Sequence, residues 1–380
     1  MTGPLRCEAV IHFNDLRPLH RLLANEVNAA VQRVLTSGRY ILGPELEAFE
    51  AAFAAYLGTA HAVGVATGTD AVELALRVAG IGPGDEVITV SHTAVATVCA
   101  IERAGATPVL VDIDATTYTM DPATVEAAIS SRTAALVPVH LYGQPADLHA
   151  LGDIAARHRL LVVEDCAQAH GARYAGRRVG TFGHLAAFSF YPTKNLGAYG
   201  DGGAVVTSDS QFAERLRRVR TYGQSGRESI RERGMNSRLD ELQAAILATK
   251  LPYLDEHNAV RRRLAQLYWE GLSALHGVTA PTERSGATHV YHLYVMRCQG
   301  RDRLRVHLEQ RGVGTLIHYP VPVHLHPAYE HLRRRVGKLP VTESLMPEIV
   351  SLPLYIGLSA TDVASVVRAV GDYAAGIDTR

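Results

Sequence analysis

Between residues 61 and 207 the chain alternates short apolar runs with longer stretches in which apolar residues recur every three or four positions. The runs Ala62–Val65, Glu86–Val90, Thr107–Val111, Ala134–Val139, Leu160–Val163, Ala186–Phe190 and Ala204–Thr207 have the length of strands buried on both faces. The stretches Thr69–Ala79, Ala94–Ala104, Pro122–Ser130 and Leu148–His158 carry helical periodicity. Strand and helix in alternation predict a mainly parallel sheet covered on both faces. Ligands of such sheets bind outside the carboxyl ends of the strands. Upstream, Leu19, Leu22, Leu23, Val27, Ala30, Val31 and Val34 form one helical stripe, with Asn14 or Asp15 as its cap and Gly38 as its stop. A second helix is predicted from Pro44 to Tyr56. Beyond Asp240 a helical stretch runs through Leu242, Ile246, Leu247 and Leu251, interrupted by Pro252. Helices then mix with short strands at His292–Arg297 and Thr315–His318. The reading is an α/β protein with a large domain over 1–250, opened by a helical segment, and a smaller α+β domain over 251–380.

Composition narrows the function. A chain of 380 residues with 47% hydrophobic and 20% charged residues suits two globular domains. Lys+Arg and Asp+Glu are both 38, so the basic excess of a general nucleic-acid binder is missing. The four cysteines (Cys7, Cys99, Cys166, Cys298) form no CxxC pair. This argues against a disulfide framework and a metal site and fits a reducing cytoplasm. Met1–Phe13 lacks the apolar run of a secretory signal, and no stretch has the length of a membrane span. There is no Walker A lysine motif, dinucleotide fingerprint, HExxH or nucleophile elbow. Only three lysines occur: Lys194, Lys250 and Lys338. A chain that uses Arg for nearly every positive charge keeps Lys where a losable proton is needed, unless the few survivors are chance.

The informative segment is Phe188–Gly203, in which Lys194 follows a strand and precedes four glycines. Glycines let backbone approach a ligand closely. A lysine among apolar and small residues can lose its proton and bond an aldehyde; on this segment alone, a surface lysine in a turn is the alternative. The strand Leu160–Val163 runs on into Glu164 and Asp165, with Gln168 and His170 just beyond. Asp165 reads either as a ligand-facing acid or as a helix cap. Pyridoxal phosphate needs such a pair: a lysine for its aldehyde and an acid to keep its ring nitrogen protonated. Gly68 and Thr69, at the start of a helix, offer a phosphate cradle, or Thr69 and Asp70 simply cap that helix. Ser189 can add a hydroxyl.

Together these motifs resemble the DegT/DnrJ/EryC1/StrS sugar aminotransferases, of the aspartate aminotransferase fold type I. The resemblance is carried by Ser37–Phe49, Ala66–Ala71, Glu164–His170, Thr193–Leu196, Met235–Asp240 and Ile317–His324. It implies a cofactor, pyridoxal 5'-phosphate, with Lys194 bonded to its aldehyde and shuttling the proton. Asp165 would pair with the ring nitrogen and Gln168 with the 3-hydroxyl. Gly68, Thr69 and Ser189 would hold the phosphate, joined by Asn236 from the neighbouring subunit of a homodimer. Where many members carry Phe or Trp beside the ring, this chain has Ala94. His92 is the candidate to stack there, or else a hydrogen-bonded loop histidine. Asp201 stands where many members have Glu. Tyr40, His292, His318, Tyr319 and His324 are candidate substrate contacts, with prolines holding the last three; chance surface histidines are the alternative. The implied reaction carries an amino group from L-glutamate to a nucleotide-linked keto-deoxyhexose, most similar to amination at C3 of dTDP-3-keto-6-deoxyhexoses. Amination at C4 and aminocyclitol or amino-aromatic synthesis are the alternatives. A binding protein that kept the fold and lost catalysis is a fourth reading, which the presence of Lys194 with Asp165 disfavours.

Overall fold

The computed structural model describes residues 10–226 and 229–376. Cys7 and most of Met1–Phe13 lie outside the described residues. In chain order the strands are β1 (His61–Val65), β2 (Glu86–Val90), β3 (Thr107–Val111), β4 (Thr133–Leu136), β5 (Leu161–Asp165), β6 (Arg173–Tyr174), β7 (Arg177–Arg178), β8 (Leu185–Ser189), β9 (Gly203–Thr207), β10 (Val278–Thr279), β11 (Ala287–Thr288), β12 (Tyr294–Cys298) and β13 (Ile349–Leu352). A seven-stranded sheet has the order β1-β9-β8-β5-β4-β2-β3. β9 pairs antiparallel with both neighbours, and every other pair in this sheet is parallel. All seven apolar runs therefore enter one sheet, each within a few residues of its expected bounds.

That single reversal places the site. A parallel crossover would carry the chain to the opposite edge. Because β9 returns antiparallel to β8, the connection from 190 to 202 stays at the carboxyl edge, and Lys194 lies in it. One face of the sheet packs on an aromatic cluster of Phe49, Phe53, Phe188 and Phe190, the other on aliphatic residues of the helix Gly68–Val78. The cap of that helix is Thr67, whose hydroxyl accepts from the Asp70 N–H at 3.0 Å; neither Thr69 nor Asp70 caps it.

The first helix departs from expectation. It is two helices, Arg17–Leu22 and Ala24–Ser37, broken at Leu23 (φ −114°, ψ 15°). Asp15 does not cap it but forks onto the Arg17 guanidinium and its N–H. Gly38 ends the second helix at φ 64°, as a C-cap glycine does. Pro252 sits in a short 3-10 turn between helices Glu241–Lys250 and Leu254–Leu272. Beyond it, β10-β12-β13 form a separate sheet. Its core holds Tyr268 and Tyr294, and Ile11 joins that core by bridging to Val313. The chain also crosses back: β11 pairs with β6, and Val323, Leu332 and Leu339 pack on Val98 and Leu110 of the larger sheet's layer.

Candidate active site

At the carboxyl edge of the large sheet a cavity of ≈ 280 Å³ is lined by Gly68, Thr69, Asp165, Gln168, Ser189 and Lys194, with Thr97, Ala94 and Asp201 beside them. β5 ends at Asp165 and β8 ends at Ser189, so neighbouring strands deliver their last side chains to one place. Strand geometry sends successive side chains to opposite faces. Asp165 faces the cavity, while Glu164 is fully buried beneath it. Glu164 accepts from the N–H groups of Gly180 (2.8 Å), Phe182 (2.8 Å) and Gly183 (2.7 Å) and pairs with His140 at 3.0 Å. That pair anchors the end of β5.

Asp165 is held on both oxygens. Oδ2 accepts from the Thr97 hydroxyl at 2.8 Å and Oδ1 from the Ala167 N–H at 3.0 Å. Lys194, in contrast, has no hydrogen-bond partner for its ammonium among the described residues. Burial pushes its pKa down to about 8, and Asp165 pulls the other way. Three neighbouring imidazoles feel the lysine's charge and are themselves held neutral chiefly by burial. His170 is pushed down to about 3, His318 to about 4, and His292 well below its usual range. The lysine thus faces one carboxylate and no competing cation among these histidines.

The cradle formed by Gly68, Thr69 and Ser189 is sterically specific. A Cβ on Gly68 would collide with the Ser189 side chain, and one on Gly203 with the Thr67 carbonyl. Only glycine lets the helix start come this close to β8 and β9. Gln168 is oriented by Tyr142, whose N–H it accepts at 2.7 Å, and donates to the Tyr319 hydroxyl at 3.1 Å. An unpartnered amine, a fixed carboxylate and a glycine-hydroxyl cradle in one cavity fit an aldehyde-bearing, phosphorylated pyridine.

Other expected contacts lie elsewhere. His92 does not border the cavity; Ala94 does. Its ring is fully buried, bonded to the Tyr142 hydroxyl at 2.7 Å and packed edge-on against Tyr118 and Tyr142, so it cannot stack on a ligand. His324 is fully buried between Ser91 (2.6 Å) and Glu343 (3.3 Å) and is no substrate contact. His292 is buried against Asn195 at 3.2 Å and steadies the lysine loop from below. His318 is half-buried, bonded to Ser351 at 2.8 Å and stacked on Phe13. Tyr319 reaches the site through Gln168. Tyr40 and Asn236 are exposed and outside their own chain's cavity. Ser237, beside Asn236, ties that segment to the cradle by donating to Asp70 at 2.8 Å and accepting from the Ala66 N–H at 3.0 Å.

Sequence reasoning missed Thr97, Tyr142 and Asn195. Thr97 had a usable signal: it lies one helical turn after Thr93, whose hydroxyl it meets at 3.1 Å. Tyr142 had none, since its role depends on an αL backbone (φ 61°) in a connecting loop.

Three comparisons place the chain among known proteins. The model of the DegT/DnrJ/EryC1/StrS aminotransferase family matches residues 22–371. Among curated relatives, a dTDP-3-amino-3,4,6-trideoxy-alpha-D-glucose transaminase of Streptomyces venezuelae is 52% identical over 368 residues, covering 97% of each chain. A dTDP-3-amino-3,6-dideoxy-alpha-D-galactopyranose transaminase of Aneurinibacillus thermoaerophilus is 47% identical over 364 residues, covering 96% of this chain and 99% of that one. The crystal structure of S. venezuelae DesV in complex with ketimine intermediate superposes with a TM-score of 0.94 at 53% identity, covering 96% and 98% of the two chains.

Proposed function

The chain belongs to the DegT/DnrJ/EryC1/StrS aminotransferase family, and from that premise we propose that it moves an amino group from L-glutamate to C3 of a dTDP-linked 3-keto-6-deoxyhexose. The observation that carries the proposal is the unpartnered Lys194 amine, pushed down to about 8, sharing one cavity with the doubly held Asp165 carboxylate. Similarity to two transaminases named for 3-amino sugars supports C3 over C4.

Pyridoxal phosphate would be held by Lys194 at its aldehyde, Asp165 at its ring nitrogen and Gln168 at its 3-hydroxyl, with Gly68, Thr69 and Ser189 at its phosphate. When bound it supplies an electron sink for the pair left behind by a departing proton. The protein's part is positioning and proton transfer. Asp165, fixed by Thr97 and the Ala167 N–H, would keep a proton on the ring nitrogen of the bound group by charge. Lys194 Nζ takes the α-proton of the amino donor and, in the second half of the cycle, delivers a proton to the sugar carbon. Burial, which pushes the free lysine down to about 8, lets one amine serve as acid and base close to neutral pH. Gln168 forms a polar wall backed by the Tyr319 hydroxyl, which stays protonated because burial pushes it up to about 12.

The working unit in this proposal is a homodimer, which would give the exposed Asn236 a role at the neighbouring cradle; the exposed Tyr40 remains a candidate for the substrate. The free Cys99, Cys166 and Cys298 suit a cytoplasmic enzyme. No helix among the described residues is long and apolar enough to cross a membrane. Incubating the enzyme with L-glutamate and each keto isomer, then locating the new amine by NMR, tests the assignment. Amination at C4 alone contradicts it.

A further inference from the structure

A second, smaller cavity of ≈ 20 Å³ shares Lys194 with the first and is bordered by Lys250, Arg261, Asp15, His20 and Tyr199. That volume holds one body about the size of a water molecule. Two of its walls are buried cations. Arg261 is 7% exposed and spends one nitrogen, Nη1, on the carbonyls of Leu354 (3.0 Å), Tyr291 (3.3 Å) and His292 (3.4 Å). Its Nε and Nη2 have no hydrogen-bond partner among the described residues. Lys250 is 6% exposed, donates to the Gly197 carbonyl at 2.7 Å and lies 4.0 Å over the Tyr199 ring. Neither cation faces a carboxylate. The acid at the cavity wall, Asp15, is already taken by Arg17 at 2.9 and 2.8 Å.

Buried charges are ordinarily paired, because an unpaired one forfeits its hydration without return. Here two converge on one cavity, and a third amine, Lys194, borders it. Burial alone lowers Lys250 to about 8 and Arg261 to about 10, with no acid to oppose it. Asn14 also borders the cavity, with its Oδ1 buried and unpartnered; the amide turned over would present a further donor.

We propose that this cavity binds one compact anionic group, held by Arg261 and Lys250, supplied either as a halide ion or as one carboxylate of the amino donor. The carboxylate source rests on L-glutamate being that donor; the halide source does not.

The holoenzyme in halide-free buffer is titrated calorimetrically with sodium chloride and, separately, with glutarate, a dicarboxylate that cannot react. Lys250→Met and Arg261→Met are treated alike. The expected result is saturable binding of at least one probe, weakened roughly tenfold or more in Lys250→Met. Glutarate binding, with a matching rise in KM for L-glutamate in that variant, assigns the carboxylate source. Chloride binding with KM unchanged assigns the halide. Arg261→Met also loses three carbonyl bonds, and if it fails to fold, Lys250→Met decides the question alone. No binding of either probe to the wild type, or wild-type binding by folded Lys250→Met, overturns the proposal. An enzyme that ignores L-glutamate defeats the donor assignment, while the chloride titration still decides the cavity.

Discussion

The carboxyl edge of the large sheet and the His318–His324 run both carry candidate site residues, but they hold their side chains by different means. At the edge, β5 and β8 are locked in register, Val163 against Leu185 and Asp165 against Ala187, so the ladder fixes which way each terminal side chain points. In the run there is no ladder. Prolines fix φ but leave each side chain to find its own partners. His318 turns to Ser351, Tyr319 to Gln168, and His324 inward to Ser91 and Glu343. Neighbours within seven residues therefore end in three environments. A site residue is dependable where a sheet aims it and undependable where only chain rigidity does.

Substitutions at the edge test this contrast most strongly. Lys194→Arg should lower turnover by at least on the order of 10³-fold, because a guanidinium cannot give up its proton; near-normal turnover in a folded variant contradicts the role of Nζ. Asp165→Asn should cost roughly 10²-fold or more in kcat with little change in melting temperature, since the amide oxygen can still accept from the Ala167 N–H while its NH2 donates to the Thr97 hydroxyl. An equal loss from Thr97→Val alone would shift the role from charge to positioning. Gly68→Ala forces a methyl into Ser189 and should weaken retention of pyridoxal phosphate about tenfold, measured by dialysis and absorbance. In the run, His324→Ala should cost roughly 1–3 kcal/mol of stability by removing the imidazole that bridges Ser91 and Glu343, yet leave KM for the sugar unchanged. A raised KM in that variant would return His324 to the binding surface.

The lysine's titration adds a pH test. Its folded pKa lies below the ordinary 10.5, at about 8, so folding penalises its charged form. The penalty is fully present below pH 8 and fades as pH rises from 8 to 10.5. In cofactor-free protein, Lys194→Met should be more stable than wild type by about 1–3 kcal/mol at pH 7 and lose most of that advantage by pH 10.5. A constant difference across that window would mean that Nζ is not desolvated.

The sheet was legible because period and length suffice for strands buried on both faces, and all seven runs entered it. Asp165, Ser189 and Lys194 were legible as candidates for the same reason, each lying at or just beyond the end of such a run, whereas Gln168 came only from the family resemblance. The break at Leu23 was not, since the apolar stripe continues unbroken across it while the backbone turns. His92 and His324 misled because a histidine's letter gives no direction, and burial with Tyr142 as partner of the one and Ser91 and Glu343 as partners of the other keeps both inside. Tyr142 acts through a contact made across the fold, at a separation of 26 residues and beyond the reach of local pattern, whereas the Thr93–Thr97 spacing left a local trace of Thr97 but not of its partner Asp165, 68 residues away.

The most direct measurement is the visible absorption spectrum of the purified protein before and after L-glutamate. The expected result is a yellow band from pyridoxal phosphate bonded to Lys194, bleaching when the donor is added and absent from Lys194→Met. No band after incubation with pyridoxal phosphate would contradict the assignment of Lys194 and Asp165, and with it the proposed reaction.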